Sequence, residues 1–282
     1  MANTLTTEQL NHYNREGYCF PFDAFPPKTA QAYHQKLLDF EQEIGQDPLN
    51  VLRIKSHLVV PWLVEMASTP AILDVVEDII GPDIMLYLSA LWAKPANDTH
   101  YVSWHQDSTY FGLDPHDEVT VWTALTPSTV ESGCIRVLPG SHTQPDMTHV
   151  ETRDPQNMLS RGQAIMEIDD NRAAYMELQP GQFSIHHERM VHGSEPNRSD
   201  LPRVGISFMF IPTHVTSTIG RKGAILLRGE DKYNHWNADP VPRFNNDPVS
   251  LDVLKAFQDS YRDPSLGTEA ERGQDKIKLT PN

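Results

Sequence analysis

Four His-x-acid pairs are the feature of this sequence most able to do chemistry: His105/Asp107, His116/Glu118, His149/Glu151 and His186/Glu188. A histidine and a carboxylate two residues apart on a strand project to the same side and can chelate one metal ion. Joined by a second, distant histidine they make a facial triad, which leaves three positions of an Fe(II) ion open for substrate, co-substrate and dioxygen. The pattern alone is weak. With 13 histidines and 38 acids in 282 residues, roughly two such pairs arise by chance. Context separates them. His116 lies in the turn-like string Leu113-Asp114-Pro115-His116-Asp117, and His149 in a long polar stretch, so both read as solvated. His105 closes the apolar run Tyr101–Trp104, and His186 follows Gln182–Ile185; both stand at strand ends, where loop-borne chemistry is built. His186 is the competitor to His105, its bland alternative being a strand-end histidine satisfied by backbone. The chain has no P-loop or dinucleotide glycine pattern, no Cys-x-x-Cys knuckle and no Gly-x-Ser-x-Gly elbow.

The elements that must position these residues change character along the chain. Up to about residue 82 the sequence reads as helical: Thr7–Glu16 behind the capping-box pair Thr6 and Gln9, Lys28–Ile44 stopped by Gly45, and Pro70–Ile80 closed by Gly81 and Pro82. After it come short β-like runs between Gly, Pro, Asp and Asn: Asp83–Lys94, Tyr101–Gln106, Val119–Leu125, Cys134–Leu138, Ala174–Leu178, Gln182–His186 and Val204–Ile211. The expected fold is mainly β with helices (α+β), a double-stranded β-helix or jelly-roll core with the N-terminal helices packed outside. One domain over 1–282 is expected, with a mainly helical segment (residues 1–82), a jelly-roll core (83–212) and a C-terminal extension (213–282). Within it, Pro139–Gln163 is a long polar connection, a helix is expected near Ser250–Arg262, and the tail from Asp263 should fray.

Composition narrows the partners. The chain carries 23 basic and 38 acidic residues, a formal charge of −15, which opposes nucleic-acid phosphates. No apolar run reaches the roughly 18 residues of a membrane span. Two cysteines are too few for a disulfide framework, and the N-terminus shows no signal-peptide pattern. A cytoplasmic protein acting on a small molecule, without nucleic acid or membrane, is expected; the oligomeric state is not fixed.

Several blocks, in order, carry a family resemblance. Trp104-His105-Gln106-Asp107, then Val121–Leu125, then Gly133–His142, and finally Val191–Ser199 with Pro202-Arg203 resemble the phytanoyl-CoA dioxygenase family of Fe(II)/2-oxoglutarate oxygenases, over about residues 85–212. The resemblance implies that His105, Asp107 and His192 ligate Fe(II). It implies that Arg203, eleven residues beyond the distal histidine, grips the far carboxylate of 2-oxoglutarate with help from Ser194, and that Trp122 lines the co-substrate pocket. Gln106, between the two ligands, is a candidate for the same pocket or for a structural hydrogen bond. The implied reaction consumes dioxygen and 2-oxoglutarate, releases succinate and carbon dioxide, and hydroxylates a C–H bond. Asp107 fills the place that related halogenases leave open for chloride, so hydroxylation is expected over halogenation.

Four alternatives stay open: an acyl-CoA hydroxylase of the same family, a zinc-dependent hydrolase on the same ligands, a cupin-like metal isomerase, oxygenase or binding protein without 2-oxoglutarate, since jelly rolls host many chemistries, and a pseudoenzyme binding module. Candidate substrate contacts are Trp104, Tyr110, Phe111, Arg136, Glu188, Arg53 and His57. The missing basic cluster argues against a coenzyme A thioester. A small polar metabolite (amino-acid-derived, natural-product or aminophosphonate) fits better.

Overall fold

The computed structural model describes residues 4–261 apart from 153, 160, 161 and 221. Helix α1 (Thr7–Glu16) begins where the Gln9 amide donates to Thr6 Oγ1 at 3.2 Å and the Thr6 amide donates to Gln9 Oε1 at 2.9 Å. These reciprocal bonds satisfy two orphan donors of the first turn. Helices α2 (Pro27–Ile44) and α4 (Pro70–Ile80) follow the expected spans, each with proline in its first turn. Between them α3 (Pro61–Ala67) has no clear apolar stripe in the sequence, because it is buried nearly all round.

The mainly helical N-terminal segment also holds a strand that the sequence reading did not mark. Tyr18–Asp23 forms strand β1, which carries Pro21 and lies at the edge of the large sheet, the place where a strand can lack one ladder donor. The other strands used below are β2 (Ile84–Lys94), β3 (Val102–His105), β4 (Val119–Ala124), β5 (Ile135–Val137), β6 (Ala174–Met176), β7 (Gln182–His187), β8 (His192–Ser194), β9 (Arg203–Pro212), β10 (Gly223–Arg228) and β11 (Asn237–Ala238). They form a seven-stranded sheet of order β1-β7-β4-β9-β2-β10-β11 and a four-stranded sheet of order β3-β8-β5-β6. This is the jelly-roll core with helices outside. The large sheet draws on β1 and β10, which lie beyond the expected 83–212 span. Helix α5 (Pro248–Tyr261) matches the expected C-terminal helix, and the tail from Asp263 falls outside the described residues.

Period-2 patterning divides the large sheet into two jobs. Val119, Val121, Ile206 and Phe208 pack beneath Leu37, Phe40, Leu63 and Ile72 of the helices. Each such apolar side chain contributes roughly 1.5–3 kcal/mol by leaving water, so this face carries the stability. The alternate residues Thr120, Trp122, Ser207 and Met209 point the other way and line a cavity. Pro139–Gln163 is not structureless: it contains a 3-10 turn at Ser141–Thr143, and Val150–Glu151 pairs with Gln163–Ala164. Its Met158 and Leu159 pack on Val102 and Trp92. Among the described residues no helix is long and apolar enough to cross a membrane.

Candidate metal centre and its cleft

His105 ends β3 and His192 starts β8, and these strands pair antiparallel with the two histidines directly opposite. Their ring centroids stand 4.1 Å apart. Each Nδ1 lies 2.9 Å from a backbone carbonyl, Ser103 O for His105 and Met190 O for His192. A carbonyl can only accept, so both Nδ1 atoms carry the proton and both Nε2 atoms present lone pairs. Asp107 completes the set, with Oδ1 3.4 Å from His105 Nε2 and Oδ2 4.0 Å from His192 Nε2.

Strand alternation, expected to bring His105 and Asp107 together, is not what does so. Asp107 lies past the end of β3 with helical backbone angles, opening the single turn Ser108–Phe111, so a bend at Gln106 delivers the carboxylate. Ligand atoms of His105, Asp107 and His192 all fall within 4.8 Å of one another. Burial raises the Asp107 carboxyl, but the imidazoles of His105, His192 and His186 around it outweigh burial and bring it down to about 2. Burial also holds His192 well below the usual imidazole range. Three acceptors converge with no donor between them, the arrangement that a divalent cation satisfies.

A cavity of about 70 Å³ opens from this cluster, lined by residues of both sheets. Arg203, the first residue of β9, also lines it and is buried to 2 %. Its Nε and one terminal nitrogen donate to Gly133 O at 3.1 and 2.6 Å, and its guanidinium stands 5.0 Å from the Trp122 ring. No carboxylate pairs with it among the described residues, and burial lowers it to about 10. Gly133 accepts these bonds from a left-handed turn (φ 73°), where an added Cβ would collide with Glu195 O. A Cβ on Gly205 would fall 2.1 Å from Trp122 Cζ2. Gly205→Ala is therefore expected to push the indole into the cavity and cost about 1–3 kcal/mol of overpacking strain; a thermal melt unchanged from wild type would contradict this.

Ser194 is buried on β8, directly across from cavity-lining Ile135, and so shares its face. Gln106 does not join the cavity. Its Nε2 donates to Arg189 O at 2.8 Å and its Oε1 accepts from the Met147 amide at 2.7 Å, so both ends of the side chain brace loops. His186 sits beside the cluster, its ring 4.6 Å from that of His192, and both its nitrogens are buried without a hydrogen-bond partner among the described residues. It is not in the ligand set, because Glu188 turns away to His116 Nδ1 at 3.1 Å. That contact corrects the reading of His116 as merely solvated, and His149 likewise accepts from the Gln106 amide at 2.9 Å.

The candidate substrate contacts are largely committed elsewhere. Arg136 stacks 4.3 Å from the Trp104 ring and pairs with Glu195, Arg53 donates to Met158 O, and His57 is buried on Ser89. Sequence reasoning missed Trp92, Thr120, Ser207 and Met209 of the lining, whose only signal was parity with Trp122 and Arg203.

Glu118 and Glu188 are buried on the other side of the cluster. Glu118 accepts from Thr120 Oγ1 at 2.8 Å, while Oε2 of each acid has no partner among the described residues. Burial, then Glu188 and Asp107, raise the Glu118 carboxyl well above its ordinary value. A carboxyl raised in the folded state stabilises the fold while protonated and loses that contribution as pH rises through the raised value. Glu118→Gln is therefore expected to raise Tm, and by more at pH 8 than at pH 5; melts shifted equally at both pH values would refute the buried-charge explanation.

A jelly roll holding two histidines and one carboxylate at the mouth of a cleft defines a class, the non-haem metal oxygenases. Comparison with known proteins agrees and gives the family. The phytanoyl-CoA dioxygenase (PhyH) family profile matches residues 13–205, and the chain belongs to that family. Its relatives include a probable phytanoyl-CoA dioxygenase of Caenorhabditis elegans, 26% identical over 93% of this chain and 92% of that one. A probable alpha-ketoglutarate-dependent hypophosphite dioxygenase of Stutzerimonas stutzeri is 28% identical over 58% of each. Among solved structures, the non-heme monooxygenase ThoJ in its apo form superposes with a TM-score of 0.79 at 29% identity, covering 93% of this chain and 98% of that one. The protein is a dioxygenase of the Fe(II)/2-oxoglutarate type.

Proposed function

We propose that this dioxygenase hydroxylates an unactivated C–H bond of a small, polar metabolite, such as an amino-acid-derived, natural-product or aminophosphonate compound. Fe(II), 2-oxoglutarate and dioxygen are its cofactor and co-substrates. The observation that carries the reading is a buried, carboxylate-free Arg203 lining the same cleft as three converging acceptors. A zinc hydrolase or a cupin-like binding protein offers that guanidinium no carboxylate to hold.

His105, His192 and Asp107 would hold the metal. Bound there, Fe(II) and 2-oxoglutarate supply oxygen activation with release of succinate and carbon dioxide. The chain's own residues do the positioning. The carbonyls of Ser103 and Met190 keep both Nε2 atoms unprotonated. Arg203 offers a fork suited to a carboxylate, Ser194 a hydroxyl, and Trp122 a flat apolar wall that excludes water. Asp107 supplies the third protein ligand, which supports hydroxylation over halogenation; chlorinated product from wild type in chloride buffer would overturn that assignment.

The hypophosphite dioxygenase relative supports a small polar substrate, whereas the relatives named for phytanoyl-CoA keep an acyl-CoA hydroxylase as the second reading. Two buried, free cysteines fit the proposed cytoplasmic location. The test is succinate release with Fe(II) and 2-oxoglutarate over a panel of amino acids, aminophosphonates and acyl-CoA esters. Stimulation by a small polar compound is the expected result; stimulation by acyl-CoA alone would select the second reading, and none, with no visible band from anaerobic Fe(II) and 2-oxoglutarate, would defeat both.

A further inference from the structure

Arg203 has a basic neighbour that the proposed mechanism leaves unused. In the antiparallel pairing of β9 with β2, Arg203 lies directly opposite Lys94, so both side chains leave the sheet on one face. Lys94 is fully buried at 0 % exposure. It reaches across to the four-stranded sheet, where Nζ donates to Ser194 Oγ at 2.7 Å and to the carbonyl of Glu195. A hydroxyl that accepts from an amine turns its own proton elsewhere, and Ser194 faces the cavity side.

The local charge is unbalanced. A buried guanidinium and a buried amine stand side by side, and neither has a carboxylate in contact among the described residues. The charged and titratable groups around Lys94 are Arg203 on β9, Glu195 after β8, Asp98 after β2, and Cys134 before β5. Glu195 is taken by Arg136 at 2.6 Å and Asp98 by His100 at 2.6 Å. Burial, then Arg203, lower the Lys94 amine to about 6. A dianion arriving beside Arg203 would reverse that balance.

We propose that Lys94 is a positioning residue for the far carboxylate of 2-oxoglutarate: it holds Ser194 with its hydroxyl proton free for that carboxylate, and supplies a second positive charge by taking up a proton as the co-substrate binds. This rests on the dioxygenase reading above. No covalent step is involved; a proton passes from solvent to Nζ on binding and returns on release.

The test is 2-oxoglutarate binding to the full-length Mn(II)-loaded protein without oxygen, by calorimetry at pH 6.5, 7.5 and 8.5 in buffers of different ionisation enthalpy. Wild type is expected to take up protons and to bind more weakly as pH rises. Lys94→Met should weaken 2-oxoglutarate binding at least about tenfold (1.4 kcal/mol) and flatten its pH dependence. Affinity for Mn(II) and for 2-oxovalerate, which lacks the far carboxylate, should stay within about twofold, and Lys94→Arg should restore some of the loss. The proposal is overturned if Lys94→Met binds 2-oxoglutarate like wild type, or if 2-oxovalerate binding falls equally, which marks a structural brace. Should Lys94→Met not fold, wild type decides: a flat pH profile without proton uptake sinks the idea. Wild type that binds no 2-oxoglutarate brings down the dioxygenase reading and this proposal with it.

Discussion

Asp107→Ala is expected to bind Fe(II) at least about 100-fold more weakly and to turn over at least about 1,000-fold more slowly than wild type. Loss of an outer-shell partner already costs about 10–100-fold in metal affinity, and Asp107 is the single anionic member of the three-residue set. Held at about 2, its carboxyl is ionised at every working pH, so the mutation removes a full charge from beside the metal. Folding should survive. Asp107 occupies the cap position of the Ser108–Phe111 turn but makes no capping bond through its side chain. The mutant's Tm should therefore stay near the wild-type value while the anaerobic charge-transfer band of Fe(II) with 2-oxoglutarate disappears. A full band and normal succinate release from Asp107→Ala in chloride-free buffer would exclude it as a ligand.

Arg203→Ala should leave metal binding intact and raise the Kd for 2-oxoglutarate by about 100- to 1,000-fold. Hydrogen bonds to charged groups contribute about 1.5–3 kcal/mol each, and a bidentate fork makes two. The guanidinium is well placed to give that much, because Gly133 O and Trp122 hold it rigid and solvent does not compete at 2 % exposure. Arg203→Lys should recover only a fraction, since an ammonium cannot make the planar fork. The decisive comparison is again 2-oxovalerate, whose binding should barely change. Equal losses for both oxo acids would mean that Arg203 supports the sheet and not the co-substrate.

Much of the site was legible because its residues are local or spaced by a family pattern. His105 and Asp107 are two apart, and Arg203 stands eleven beyond His192. Helices α1 and α4 were legible because caps and terminators are local chemistry, with Thr6, Gln9, Gly17, Pro70 and Gly81 all near the ends they control. β1 was not: proline inside an apolar run argues against a strand unless the strand is known to be at an edge, and edge status is a property of the whole sheet. Lys94 was missed for the same reason. Nothing near it marks it as buried; only the β2–β9 register sets it against Arg203.

By itself the sequence carried the family resemblance, the candidate ligand types and the period-2 alternation of the strands, since these follow from side-chain identity and short-range spacing. Tertiary structure decided which of the four His-x-acid pairs meets a second histidine, that Gln106 braces loops, and that Lys94 stands opposite Arg203. Those outcomes depend on which strands pair and in which register, and register is set by the packing of the whole molecule rather than by any residue's neighbours in the chain.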